Sequence, residues 1–196
     1  MSAIGRRLVA VCDRQELVYT FGVVDDQDVN AFSLPGGYVF INRGLIEKTA
    51  SDDELAGVIA HEVAHIAARH AIKRYESSLG LQLVQLATLA ARQGAVAQGV
   101  GVATRTAQLA YARQDELEAD RLGVKYMKAA GFDPAAMLTF LEKIHALHQE
   151  KTSYLPHGVV RPQYGLTHPF VPERLRVVKE ALFGVADYID YLNSPN

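Results

Sequence analysis

A helix with a complete start signal and two histidines four residues apart constrains this chain more than any other feature. Ser51 is followed three residues later by Glu54, the pattern of a capping box at a helix N-terminus. Apolar residues then recur at helical spacing, which predicts a helix over about residues 52–75. His61 and His65, in the sequence HEVAH, therefore project from one face of this helix. The neighbouring positions fit a buried helix, which disfavours two surface histidines.

The pattern HExxH on a helix is typical of zinc sites. His61 and His65 can bind one metal ion from a single helix face, and Glu62 lies beside that ion rather than on it. A carboxylate in that place can take a proton from water and act as a general base. The spacing therefore predicts a hydrolytic zinc centre, in preference to a helix with two surface histidines.

A catalytic zinc ion needs a third protein ligand and keeps one position for water. The extended motif HExxHxxGxxH does not occur, because Ala68 and Ala71 stand where it has glycine and histidine. His70 is nine positions beyond His61, which puts it on the opposite face of a continuous helix and predicts an exposed or capping histidine. Cys12 lies in VAVCDRQ, which does not match the cysteine motif of peptide deformylases, and is predicted to be an inert core thiol.

The acidic run DELEAD over residues 115–120 offers the remaining ligand. Glu116 and Glu118 are about 200° apart on a helix, so only one of them can face the metal. Glu116 shares a face with Asp120, and this pair would supply both a zinc ligand and a carboxylate that hydrogen-bonds a ligand histidine. We prefer Glu116 because this arrangement uses both carboxylates, but helical geometry alone leaves Glu118 open.

The remaining pattern predicts one α+β domain over residues 1–196, predominantly helical with a small sheet near the N-terminus. Strand-like runs flank Pro35-Gly36-Gly37, which predicts a hairpin inside a sheet over about residues 17–42. Gly131 is predicted to end one helix and Asp133-Pro134 to begin the next. Further helices are predicted over about residues 114–130, 134–148 and 172–182, and a loop over residues 151–168.

The composition excludes several classes of protein. Lys and Arg number 20 and Asp and Glu 22, and no basic block occurs, so nucleic acid is not an expected partner. A single cysteine excludes an intramolecular disulfide framework. No apolar stretch reaches the length of about 18 residues that predicts a membrane-spanning helix. Residues 77–110 contain no acidic residue, and this composition predicts one or two apolar helices. These helices are expected either to pack in the core or to serve as a mobile lid or as a contact surface for a membrane or partner.

Four motifs follow one another along the chain: HEVAH, ELEADRLG, AGFDPAAM and THPFVPER. Together with VNAFSLPGGYVFINRGLI upstream, they resemble the HtpX/BepA-type metallopeptidases of peptidase family M48 over roughly residues 17–180. The resemblance implies a zincin-like domain and a zinc endopeptidase of the gluzincin type, with one Zn²⁺ per chain. Without the transmembrane helices of other members, the chain looks more like the soluble BepA-type branch. That branch implies polypeptide substrates, including misfolded envelope proteins, and a periplasmic or envelope location.

The resemblance also implies roles for single residues. The family's HExxH matches the two histidine ligands and the base named above, and its ExxAD motif matches Glu116 and Asp120. The first glutamate of that motif is the family's third zinc ligand, which favours Glu116 over Glu118. Asp120 would then hydrogen-bond a ligand histidine without contacting the metal.

Near the C-terminus, the family's His-Pro motif matches His168, which lies near the metal in relatives. There it is implied to stabilise the oxyanion or to occupy the fourth zinc position in a resting state. Arg174, in PER, matches a family arginine and is predicted to be a structural ion-pair partner. The family's edge strand beside the cleft matches Asn30, Ala31 and Phe32, where an extended substrate would pair by β-augmentation.

Two classes of function compete on these grounds. The first is a zinc-dependent endopeptidase in envelope protein quality control. The second is a chaperone-like module that binds polypeptides and has a weakly active or self-inhibited zinc site. The intact Glu62 favours the enzyme, because a scaffold does not need a base at that position. Residues 77–110 and the loop before His168 are expected to cover the cleft and gate activity.

Overall fold

The computed structural model describes the backbone of residues 1–90, 94–153, 168 and 171–193, and the side chains of residues 1–80, 112–147, 168 and 172–184. The helices are α1 (Ser2–Val9), α2 (Arg43–Ile46), α3 (Asp52–Ala67), α4 (His70–Ala90), α5 (Gly94–Ala129), α6 (Ala135–Ser153) and α7 (Val171–Asn193). The strands are β1 (Thr20–Val24), β2 (Ala31–Leu34) and β3 (Tyr38–Asn42). The predicted class, predominantly helical with a small sheet near the N-terminus, is confirmed.

The three strands form one sheet in the order β1-β3-β2. The predicted hairpin is confirmed: β2 and β3 pair antiparallel, with Phe32 opposite Phe40. Gly36 and Gly37 turn the chain between them with φ of 95° and 100°, a region that favours glycine. β1 pairs parallel with β3, from Thr20 opposite Tyr38 onwards. This order leaves β2 at an edge, beside α3.

α3 is the central helix, and every residue from Glu54 to Ile66 is buried. It packs against α1, α5, α6 and β2. Its predicted start is confirmed, because the Ser51 hydroxyl accepts a hydrogen bond of 3.1 Å from the Glu54 N–H. The Glu54 carboxylate reaches back to the N–H of Ala50, at 2.7 Å, rather than to that of Ser51. Because the helix is enclosed, its buried polar side chains need hydrogen-bond partners or counter-charges from the protein or from a ligand.

The prediction that this helix continues to about residue 75 is wrong. α3 ends at Ala67, and Arg69 adopts a left-handed backbone with φ of 59°. α4 then begins at His70 as a separate helix. The rotation of 100° per residue that placed His70 opposite His61 therefore does not apply across the break, and His70 is fully buried instead of exposed.

The junction between α5 and α6 follows its sequence signals. Gly131 has φ of 74°, and the Phe132 N–H donates to the Met127 carbonyl at 3.0 Å, which is a Schellman ending. The Asp133 carboxylate accepts a hydrogen bond of 2.9 Å from the Ala135 N–H at the start of α6. Both predicted helix boundaries are confirmed.

Several elements extend beyond their predicted limits. α5 begins at Gly94 rather than near residue 114, and α7 runs to Asn193 with one non-helical residue, Gly184. The interpretation of residues 77–110 as a lid or contact surface concerns side chains that lie mostly outside the described ones. α6 runs to Ser153, so the first three residues of the predicted loop over residues 151–168 are helical, and residues 154–167 lie outside the described residues. Within the described part of the chain, no helix has the length and hydropathy needed to cross a membrane.

Candidate metal centre

Four buried side chains converge, two from α3, one from α5 and one from the position three residues before α7. They are His61, His65, Glu116 and His168. Their candidate ligand atoms all lie within 4.8 Å of one another. His61 Nε2 is 3.0 Å from His65 Nε2, and the Glu116 oxygens lie 3.3 Å and 3.4 Å from these two nitrogens. His168 Nδ1 is 3.3 Å from His61 Nε2 and 3.0 Å from the Glu116 carboxylate.

These separations fit a tetrahedral zinc ion. Bonds of about 2.0–2.1 Å in tetrahedral geometry place ligand atoms about 3.3–3.4 Å apart. Imidazole nitrogen and carboxylate oxygen are also ligand types that zinc prefers. Electron-rich atoms this close, out of contact with water, need a cation or a proton between them. The donor set therefore fits the metal that the sequence motif predicts.

Asp120 contacts His61 from outside this group. The His61 Nδ1–H donates to the Asp120 carboxylate at 2.8 Å, which leaves the Nε2 lone pair directed at the other three residues. Arg174 binds Asp120 through two hydrogen bonds of 2.8 Å and lies 3.4 Å from Glu116. Arg174 and Asp120 are 1% and 0% exposed, so this ion pair is part of the core and holds the carboxylate in place.

The surroundings of the two histidines of α3 shift their pKa values in opposite directions. Burial lowers the pKa of His61, but the carboxylates of Asp120 and Glu116 outweigh this effect and raise it to about 9. Burial lowers the pKa of His65 to about 4, against the attraction of Glu116. Burial raises the pKa of Glu116, but its histidine neighbours bring it well below the ordinary value. The cluster therefore holds a proton on His61 whenever no other cation replaces it.

Glu62 is buried beside the four converging residues. Its Oε1 lies 3.3 Å from His168 Nε2, while its Oε2 has no hydrogen-bond partner within the described part of the chain. Burial raises the pKa of Glu62, but its electrostatic interactions with His168 and the two histidines of α3 outweigh this effect, and the net shift is downwards. Glu62 is therefore a carboxylate at neutral pH, able to accept a proton.

His168 presents its two nitrogens to different surroundings. Nε2 lies 3.2 Å from the Ala31 carbonyl oxygen and 3.3 Å from Glu62, and both of these neighbours are acceptors. Nε2 therefore carries the proton, and in neutral imidazole the Nδ1 lone pair then faces His61 and Glu116. This places one nitrogen among the candidate metal ligands and one N–H beside the candidate base.

A cleft of about 360 Å³ opens next to this group. Its walls include the edge strand β2, from Phe32 to Leu34, together with Glu62 and His65. Of the residues predicted to bind substrate, Phe32 lines the cleft and Ala31 contacts His168 through its carbonyl oxygen. Asn30 is buried, does not line this cleft, and its carbonyl accepts a hydrogen bond from Asn42 in the sheet.

Sequence reasoning missed His70. Its Nδ1 lies 2.8 Å from His65 Nδ1, and its Nε2 lies 3.2 Å from the Glu118 carboxylate. Glu118, the alternative third ligand, is half exposed and contacts His70 instead of joining the four converging residues. The helix break that brings His70 here lies at Ala68 and Arg69, where neither glycine nor proline gives a signal.

Comparison with known proteins gives consistent matches. A model of Peptidase family M48 matches residues 1–182. The beta-barrel assembly-enhancing protease of Escherichia coli (strain K12) is 32% identical over 186 residues, covering 89% of this chain and 37% of that protein. The putative beta-barrel assembly-enhancing protease of Vibrio cholerae is 31% identical, covering 96% and 40%. The mitochondrial metalloendopeptidase OMA1 of Schizosaccharomyces pombe is 30% identical, covering 93% and 52%.

The chain spans between 37% and 52% of the length of these relatives. The matched range nevertheless covers nearly all of the chain and contains all four converging residues, the candidate base and the Asp120–Arg174 ion pair. The similarity and the site thus concern the same part of the molecule, and the chain belongs to peptidase family M48.

Proposed function

We propose that this chain is a zinc-dependent endopeptidase domain that hydrolyses peptide bonds of protein substrates. The proposal rests on one observation: buried lone pairs of His61, His65 and Glu116 converge, and an ionised carboxylate, Glu62, lies beside them at a cleft. Three protein ligands with a neighbouring general base are what a hydrolytic zinc centre requires. Asp120 would orient one ligand histidine, as its 2.8 Å hydrogen bond to His61 supports.

When bound, zinc would supply Lewis acidity, which polarises a peptide carbonyl and makes water more acidic. Glu62 would take the proton of the attacking water and later deliver it to the leaving amine. The His168 Nε2–H lies near Glu62 and the Ala31 carbonyl, and His168 lines the cleft, where this N–H would donate to a developing oxyanion. The edge of β2 at Phe32 would align the substrate backbone.

The position of His168 supports a resting state that is closed. Its Nδ1 lies within the candidate ligand group, so it would occupy the fourth position, which a catalytic zinc ion keeps for water. Turnover would then require His168 to withdraw. The variant His168→Ala separates its two roles: faster cleavage would show that His168 blocks the centre, and slower cleavage that it stabilises the oxyanion.

The relatives suggest a setting for this activity. Two of them are named for enhancing β-barrel assembly, and a third is named as a mitochondrial metalloendopeptidase. For this chain we propose polypeptide substrates such as misfolded envelope proteins, and a periplasmic or envelope location. A chaperone-like module with a self-inhibited zinc site is the second candidate, which the contacts of His168 with Glu116 favour.

The first experiment measures zinc per chain after purification without added metal. We expect about one zinc ion in the wild type and a large loss in Glu116→Gln, because the change removes a charged ligand. Glu76→Gln, at an exposed position of α4, is the matched control and should keep its zinc. Full zinc occupancy in Glu116→Gln would move the third ligand elsewhere, and no zinc in any variant would overturn the proposal.

The second experiment follows cleavage of an unfolded protein by zinc-loaded wild type and Glu62→Gln. We expect Glu62→Gln to bind zinc and polypeptide but to lose cleavage, because an amide cannot accept the proton. Undiminished cleavage would exclude Glu62 as the base. Binding of polypeptide without cleavage by wild type, Glu62→Gln and His168→Ala alike would favour the chaperone-like module.

A further inference from the structure

We propose that His70 is a positioning residue for the zinc ligand His65, and that Glu118 holds His70 in the tautomer this role requires. The inference rests on the zinc site proposed above and extends it by two residues. His70 would accept a hydrogen bond from the His65 Nδ1–H, so that the Nε2 lone pair of His65 remains directed at the metal.

The contacts from Glu118 inward fix which ring nitrogens carry protons. Glu118 Oε2 is a carboxylate oxygen and can only accept, so His70 Nε2, 3.2 Å away, donates to it. In neutral imidazole, His70 Nδ1 is then a lone pair. The contact of 2.8 Å between His70 Nδ1 and His65 Nδ1 needs one proton between the two nitrogens, which therefore belongs to His65. His65 Nε2 is left without a proton, as metal binding requires.

The surroundings of His70 suit this role. Its side chain is fully buried, so water does not compete for either nitrogen. A second carboxylate, Asp115, lies 3.7 Å from His70 Nε2 and is paired with Arg74 at 3.0 Å. Both acidic neighbours thus approach the same ring nitrogen and favour a proton on Nε2. The left-handed backbone of Arg69 brings the ring into this place directly after α3 ends.

The two ligand histidines would thus be supported in parallel ways by different residue types. His61 donates its Nδ1–H to Asp120, which Arg174 holds. His65 donates its Nδ1–H to His70, which Glu118 holds. Both arrangements fix the same tautomer in the ligand, and groups in such positions typically contribute 10- to 100-fold to metal affinity.

Zinc affinity, measured by chelator competition, tests the hydrogen bond to His65. We expect His70→Leu to weaken zinc binding roughly 10- to 100-fold, because the His65 tautomer is no longer fixed. His70→Asn should restore most of the affinity, since its Oδ1 takes roughly the place of the imidazole Nδ1 and accepts the same hydrogen bond. His145→Leu, which removes a half-buried histidine of α6, is the control and should bind zinc as the wild type does.

Glu118 is half exposed, so its variants test the proposal without disturbing the core. Glu118→Gln keeps an acceptor for His70 and should bind zinc nearly as tightly as the wild type. Glu118→Leu removes that acceptor and should weaken binding several-fold. Equal zinc affinity of the wild type, His70→Leu and Glu118→Leu would overturn the proposal.

Nitrogen NMR of the histidine rings in the zinc-loaded protein reads the tautomers directly. We expect protons on His65 Nδ1 and His70 Nε2, and a lone pair on His70 Nδ1. A proton on His70 Nδ1 would overturn the proposal, since His65 would then have to accept it. Failure of this inference is distinct from failure of the zinc site itself, in which the wild type would not bind zinc at all.

Discussion

The raised pKa of His61 predicts that zinc binding displaces about one proton at neutral pH. Burial lowers this pKa, but Asp120 and Glu116 raise it to about 9, whereas that of His65 falls to about 4. At pH 7.5, a group with a pKa of about 9 is about 97% protonated, and one with a pKa of about 4 carries essentially no proton. Glu116 is already ionised, because its pKa is lowered. The metal therefore has to displace the proton of His61 alone.

The number of protons released distinguishes this cluster from two ordinary histidines. With ordinary pKa values of about 6.5, the two imidazoles together would release only about 0.2 proton at pH 7.5. Because the pKa of His61 is raised, its proton competes with zinc up to about pH 9. The apparent zinc affinity should therefore rise about tenfold per pH unit towards pH 9 and level off above it. Asp120→Asn removes a charge that raises the pKa of His61, so release at pH 7.5 should fall.

Isothermal titration calorimetry in buffers with different ionisation enthalpies measures the number of protons released per zinc ion. The refuting result is a release of about 0.2 proton or less at pH 7.5, together with stoichiometric zinc binding. A wild-type affinity that does not change between pH 7 and 9 would refute the reasoning equally, because no proton would then compete with the metal for His61.

Two substitutions test the backbone that positions the site, with thermal unfolding as the measurement. Arg69→Gly should be more stable than Arg69→Ala by about 1 kcal/mol, since φ of 59° costs a residue with a Cβ atom about that much; equal stabilities would show that the turn is not strained. Gly44→Ala should lower the free energy of unfolding by about 2 kcal/mol or more, because a Cβ there would overlap the carbonyl oxygen of Gln27. Gly80→Ala, with open space around it, is the control and should not destabilise the protein.

Features of the fold that depend on contacts between residues close in sequence could be predicted. The start of α3 at Ser51, its capping contact with Glu54, the Gly131 ending and the Asp133 start each depend on residues within a few positions of one another. The convergence of His61, His65 and Glu116 also follows from helical spacing once two helices are known to meet. The roles assigned to these residues stay predictions.

Contacts between distant segments were not open to prediction in the same way. The parallel pairing of β1 with β3 joins Thr20 to Tyr38 across an intervening strand, and no local signal encodes it. α1 was not predicted, although Ile4 and Leu8 are buried in the core. The break at Arg69 contains no glycine or proline. The helix predicted from periodicity was therefore too long, and it placed His70 on the face opposite His61. Tertiary packing decided these features over local propensity.

The order of the site residues along the chain determines when the site can be completed during synthesis. A ribosome makes the helix histidines first, Glu116 about fifty residues later, and His168 and Arg174 last. Until Arg174 emerges, Asp120 lacks the guanidinium that holds it, and His61 lacks a fixed orientation. The nascent polypeptide therefore carries an unfinished centre until Arg174 has been synthesised. The proposed centre therefore cannot reach the geometry described above before the chain from α3 to Arg174 has been made.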